Sequence, residues 1–337
     1  MPSPVAEDIP ALIAETEAAL VAGHRTEASE LHSRVARALA ALPGADGAAA
    51  GISSALRAQH EGQRGVLALA ADDAPTAVEA FEAALKLEPA LHITRANLGI
   101  AQLRAGDTEA ALAALRAALG ALGPLDPAAI GALDAVIDAG HGAEAQGLAE
   151  ALLVEHPDVP GLIFVQGRAF AATQRFDAAA RAFARVAELQ PALEGAPINE
   201  ARARLALGDE AGAAAVLRAA LERFPDSRLV KQRLAWLLAT ARSDEVADGA
   251  RAVELAKAVL AVNPKHPEFL TLAAAAFAAS GDFQAARTHE GIAIEQLKAM
   301  SADAAPLRRP ELLEAMEARL ALYRTDQRWR EAPPTPH

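Results

Sequence analysis

The 337-residue chain contains no cysteine. Disulfides, thiolate zinc sites and cysteine nucleophiles are therefore excluded. Aromatic residues make up 4% of the chain, and strand-type runs of Val, Ile and Thr are missing. No apolar run approaches the ~18–20 residues of a membrane helix, so no membrane partner is expected. Positive charge is in deficit, with 32 basic against 44 acidic residues and a net charge of −12. A broad electrostatic grip on phosphate backbones, and with it a nucleic-acid partner, is not expected. The opening MPSPVAEDIP has no basic segment followed by an apolar one and does not read as a signal peptide. The expectation is a soluble, cytoplasmic protein.

Signatures of catalysis are also missing. The nine histidines are dispersed, and no His-Glu-x-x-His occurs. His24 and His141 fall in turns between helices. There is no Gly-x-Gly-x-x-Gly, no Walker loop and no Gly-x-Ser-x-Gly elbow. The carboxylate pair Asp72/Asp73 is explained by helix capping. No enzymatic activity, no cofactor and no metal are expected.

Alanine is abundant, and it has the best intrinsic helix propensity while letting helices approach closely. The chain also repeats itself: DDAPTAVEAFEAALKLEP (72–89) returns as QRFDAAARAFARVAELQP (174–191), 102 residues later. Pro89, Pro124, Pro157, Pro191, Pro225 and Pro264 close successive segments on a beat near 34 residues. A period in this range predicts stacked helical hairpins. The first helix of each hairpin has a small central residue: Gly65, Gly99, Gly167, Ala201, Ala235 or Ala274. The second has Ala77, Ala111, Ala179, Ala213, Ala252 or Ala286 on its inner face. The two places are twelve residues apart, except for seventeen between Ala235 and Ala252. In AGDTEA, LGDEAG and SGDFQA, the glycines Gly106, Gly208 and Gly281 suit a left-handed C-cap. Asp107, Asp209 and Asp282 then suit the next N-cap, with Asp73 in the same slot.

At these residues the chain resembles the tetratricopeptide repeat family, best at RANLGIAQLRAGDTEAALAALRAAL (95–119). The resemblance covers roughly residues 10–300. It implies an all-α, right-handed α-solenoid of about eight helix–turn–helix repeats with a C-terminal capping helix. The repeat at about 126–159 lacks a clear small residue in its first helix. The first repeat is carried by Gly23, Ala28 and Val35, and the Gly/Ala-rich LPGADGAAAG (42–51) follows it as a hinge or a distorted helix. The expected organisation is a divergent repeat and linker (1–57), a tandem array (58–300), a capping helix (301–327) and a flexible tail (328–337). The capping stripe is Leu312, Met316, Leu320 and Tyr323. ARSDEVADG (241–249) carries a five-residue insertion and should be an exposed loop. Trp236 reads as helix packing. Trp329 reads as folded back on the cap or, alternatively, as part of a docking motif.

In this family the first helices line a concave groove that holds partners. The resemblance then implies a non-catalytic scaffold binding peptide segments. The candidate patch is Phe164, Arg168, Asn199, Arg202 and Arg233, with Arg95, Asn97 and Arg104 as a weaker second site. An Asn holds a peptide backbone by donating and accepting together, an Arg forks onto a carboxylate, and Phe164 offers an apolar anchor. The opposing reading is that these arginines pair with neighbours such as Glu200. Some family members clamp the C-terminal carboxylate of chaperone tails with Lys and Asn, then Asn, then Lys and Arg. Asn199 and Arg233 fit the later places, but the earlier ones hold Phe164 and Arg168. An acidic peptide partner is therefore the expectation, and chaperone tails are not. The alternatives are a structural, self-associating repeat protein and an accessory subunit of a separate enzyme.

Overall fold

The computed structural model describes residues 8–40, 48–300 and 310–331. Residues 42–47 of the Gly/Ala-rich stretch, the segment 301–309 and residues 332–337 lie outside them. The described residues contain seventeen α-helices and no strand, an all-α repeat solenoid. The chain divides into two compact units, Met1–Thr173 and Gln174–His337. The first holds α1 (Ile9–Val21), α2 (Arg25–Ala40), α3 (Ala48–Ala70), α4 (Ala74–Leu87), α5 (His92–Arg104), α6 (Thr108–Leu122), α7 (Pro127–Asp138), α8 (Gly142–Glu155) and α9 (Pro160–Ala172). The second holds α10 (Phe176–Leu189), α11 (Gly195–Ala206), α12 (Glu210–Arg223), α13 (Arg228–Thr240), α14 (Gly249–Val262), α15 (Pro267–Ala279), α16 (Phe283–Ala299) and α17 (Pro310–Arg324). The position expected to end the first segment, residue 57, falls inside the continuous helix α3.

The repeat is visible in the backbone. Asp72, Gly106, Gly140, Gln174 and Gly208 stand 34 residues apart, and all have positive φ, between 60° and 90°. Gly281 (φ 89°) follows after the longer repeat that carries the insertion. This conformation ends one helix, and the following turn starts the next. Asp73, Asp107, Asp209 and Asp282 then accept the backbone N–H three residues on, at 2.8–3.1 Å. The small residues act where expected. A Cβ on Gly65 would lie 2.4 Å from the Phe81 ring, and one on Gly99 would lie 2.6 Å from Leu115. Ala77, Ala111, Ala213, Ala252 and Ala286 are fully buried. Where a first helix lacks the small residue, Leu133 of α7 is buried instead, among Ala129, Ala145 and Leu162.

Two expectations need correction. The insertion is not simply an exposed loop. Ala241 and Val246 are 1% and 5% exposed and belong to the second unit's core. The Glu210 carboxylate accepts the N–H groups of Arg242 and Ser243, both at 3.1 Å, and Arg242 Nε at 2.8 Å. Burial pushes this carboxyl up, but the hydrogen bonds from Arg242 and the two amides outweigh it and hold it below its ordinary range. The tail is also not free from residue 328. Trp329 packs with Ala274, Ala278 and Tyr323, and Glu331 N–H donates to the Thr240 carbonyl at 3.0 Å.

The cap α17 covers α16 with the predicted stripe. Met316 packs on Leu270, Ile294 and Leu297, and Tyr323 packs on Ala274, Ala278 and Ala286. Beneath it Arg319 Nε donates to the fully buried Glu290 at 2.9 Å. Burial raises the Glu290 carboxyl from 4.5 to about 7, and Arg319 opposes that rise only in part. Among the described residues Tyr323 Oη is buried without a hydrogen-bond partner.

Three stability predictions follow from these features. Gly106 has φ 88° and open space where a Cβ would stand, so Gly106→Ala should cost about 1–2 kcal/mol through backbone strain alone. Gln174→Gly removes strain of the same kind and should stabilise by up to about 1 kcal/mol; urea midpoints check both signs. Glu290 binds its proton more tightly in the folded chain, so stability falls as pH rises from 4.5 through about 7. Glu290→Gln should change little near about pH 5 and gain about 1–3 kcal/mol near about pH 8. A gain that is equal at both pH values would contradict the buried-carboxyl account.

Candidate functional site

The second unit contains a cavity of about 550 Å³ walled by α11 and α13, the first helices of consecutive hairpins. Ile198, Leu205, Leu229 and Leu237 give it an apolar floor. Asn199 and Arg202 face it three residues apart on α11. Arg233, Trp236 and Thr240 face it at helical spacing on α13. The structure thus brings three of the predicted residues, Asn199, Arg202 and Arg233, to one cavity.

Their chemical states differ. Asn199 Nδ2 donates to the Gly195 carbonyl at 2.8 Å, which leaves its second N–H and its carbonyl oxygen to offer. Arg202 and Arg233 are exposed, and neither has an ion-pair partner among the described residues. Glu200, the suggested neutralising neighbour, binds Arg204 at 2.9 Å instead. Of the cavity's carboxylates, Glu210 is held by Arg242, and Glu331 accepts from Trp236 Nε1 at 2.8 Å. A second cavity of about 330 Å³ shares Arg233 and Trp236 and reaches Thr271, Met316 and Arg319.

Phe164 and Arg168 belong to the first unit, on α9. Phe164 is half-buried. Arg168 is held between two carboxylates of α7, Asp134 at 2.5 Å and Asp138 at 2.7 Å. The pairing matches the opposing reading of the sequence in kind, with different partners. In the weaker second site, Arg95 donates to the Pro89 carbonyl at 2.5 Å and Arg104 to the Leu69 carbonyl at 3.1 Å. Asn97 lies two residues from Arg95 and so does not share its helix face.

The Asp72/Asp73 pair is structural, with Asp72 in the left-handed turn and Asp73 as N-cap. Among the described residues no cluster of three metal-ligating side chains occurs, and no helix is long and apolar enough to cross a membrane. Sequence reasoning missed Trp236, Thr240 and Glu331 as parts of the cavity. The first two carried a signal, since both fall on the helix face marked by Arg233. Glu331 carried none, because only the fold brings it to α13, 95 residues away.

Three similar solved structures are a tetratricopeptide repeat protein from Parabacteroides merdae, YrrB and the APC/C Cut9–Hcn1 hetero-tetramer. The first shares 17% identity over 80% of this chain and 99% of its own, with a TM-score of 0.47. YrrB, described as a repeat protein with an unusual peptide-binding site, shares 12% over 57% and 91%, with a TM-score of 0.44. The Cut9–Hcn1 chain shares 12% over 87% and 74%, with a TM-score of 0.41. No curated protein matches the chain. One tetratricopeptide repeat profile matches residues 63–129, 131–194 and 244–295, more than half of the chain, and a second matches residues 199–227. The chain therefore belongs to the tetratricopeptide repeat family, whose fold is a scaffold for protein–protein interaction.

Proposed function

We propose that the second unit holds an acidic peptide segment of a partner protein in the cavity between α11 and α13. The observation that carries this reading is that Arg202 and Arg233 have no ion-pair partner among the described residues and stand above an apolar floor. A guanidinium with no internal carboxylate keeps its fork of donors for a ligand. Asn199 adds a donor and an acceptor beside it, suited to a backbone amide. The floor of Ile198, Leu205 and Leu229 gives apolar side chains of the segment a place to bury surface. The chain is acidic overall, so a local basic rim opposes the bulk field and favours an acidic ligand at this place. Phe164 and Arg168 lie outside the proposal, because Asp134 and Asp138 already neutralise Arg168.

The test is binding of a labelled oligoglutamate peptide at low salt, with oligolysine as control. Arg202→Glu with Arg233→Glu should weaken oligoglutamate binding by at least about tenfold, the scale of one lost charge-assisted hydrogen bond. Helical content and the urea midpoint should stay unchanged, since both side chains are exposed. Equal affinity of the wild type and the double variant would refute the assignment.

A further inference from the structure

We propose that Trp236 Nε1 and the Thr240 carbonyl form a recognition subsite for an extended peptide bearing a carboxylate, and that the chain's own segment Arg328–Glu331 fills it in the free protein. The inference rests on the groove reading above and adds the class of segment and its resident competitor.

Thr240 is the last residue of α13, so its carbonyl has no partner within the helix. One turn earlier on the same face, the indole of Trp236 offers a donor and no acceptor. The chain places one residue against both groups. Glu331 N–H donates to the Thr240 carbonyl at 3.0 Å, and Glu331 Oε1 accepts from Trp236 Nε1 at 2.8 Å. One backbone bond and one carboxylate bond from a single residue are what an extended acidic peptide supplies. Glu331 also lines the cavity that holds Arg202 and Arg233, so the subsite is continuous with the basic rim.

The resident segment is held in a way that allows exchange. Arg328 and Arg330 reach Asp244 at 2.5 and 2.9 Å, and Arg330 also donates to the Arg242 carbonyl. Asp244 is 81% exposed, and ion pairs of that exposure are screened by salt and individually weak. Trp329 is the anchor, packed on Ala274, Ala278 and Tyr323 beside the Arg319 guanidinium. Asp244 comes from the five-residue insertion, which thereby gains a role as the platform on which the segment rests. An incoming acidic segment takes the place of Glu331 without moving Trp329.

The test uses the full chain and its two tryptophans, which give two indole N–H resonances, assigned with Trp236→Phe. Glu331→Ala should shift the Trp236 resonance and leave Trp329 in place. A labelled peptide with the sequence of residues 325–337 is then titrated into the wild type and into a released variant, Arg328→Ala/Arg330→Ala/Glu331→Ala. The released variant should bind it about tenfold more tightly, since the competing Glu331 carboxylate and the Asp244 ion pairs that tether it are gone, and adding Trp236→Phe should remove that gain. An unshifted Trp236 resonance, or equal peptide affinity in wild type and released variant, overturns the inference. Loss of oligoglutamate binding on Arg202→Glu/Arg233→Glu alongside either result would leave the groove standing and remove the subsite alone. A shifted resonance with no binding of either peptide would mean a structural strap and would remove both. Wild-type chain that sediments as a dimer, and as a monomer once Glu331→Ala is introduced, would assign the segment to a second copy and overturn the intramolecular reading.

Discussion

Paired helices cross where at least one side chain is a hydrogen or a methyl, and the register of everything above the crossing follows from that. Gly65 against Phe81 and Gly99 against Leu115 leave no room for a Cβ. The close approach fixes which residues of each first helix look inward and which look away. The turn that permits it is equally constrained, because a residue of positive φ recurs on the 34-residue beat even where it is Asp72 or Gln174 rather than glycine. A non-glycine residue adopts this conformation at a cost of about 1 kcal/mol, so the tertiary packing outweighs local preference at those two turns. The candidate groove is a consequence of the register. Asn199, Arg202, Arg233 and Trp236 face one cavity, with Ala201 buried in its wall at 1% exposure and Ala235 behind it at 0%.

At its C-terminal end the second unit departs from the plain repeat, and the departures act together. The insertion lengthens the link between α13 and α14, which would expose the backbone amides of Arg242 and Ser243 without a partner. Glu210, at the start of α12, accepts both and pairs with Arg242 as well. A buried acceptor that satisfies two amides and one guanidinium offsets its own desolvation. The anchored loop then presents Asp244 outward, where Arg328 and Arg330 meet it. The cap α17 supplies the other support, since Tyr323 forms part of the surface on which Trp329 rests.

Local chemistry was legible in the sequence, and long-range pairing was not. Gly106–Asp107, Gly208–Asp209 and Gly281–Asp282 announce a turn and a cap within two residues, and the stripe Leu312–Tyr323 announces a one-faced helix within one element. The buried environment of the insertion depends on Glu210, which lies 32 residues before Arg242. The fate of the tail depends on Trp236 and Asp244, more than 80 residues away. Nothing near Glu331 marks it as a groove residue. Trp236 was half legible: the helix face is readable from Arg233, but its indole N–H has a partner only because the chain returns.

The same logic explains why three arginines that look alike in the sequence differ in the fold. Counting back one period from Arg168 gives Asp134, and the two form an ion pair at 2.5 Å. Counting back one period from Arg202 gives Arg168, and from Arg233 gives Asn199. Neither is a carboxylate, so neither arginine of the second unit inherits the pairing that neutralises Arg168. The column continues to Trp236, where a donor of no charge replaces the guanidinium. A repeat scaffold keeps its packing positions small and apolar and varies the inward column from one period to the next. At these positions Asp134 and Arg168 satisfy each other within the first unit, whereas Arg202 of the second unit has no ion-pair partner among the described residues. One period after Arg202, Trp236 offers an indole N–H to which the chain itself supplies the Glu331 carboxylate.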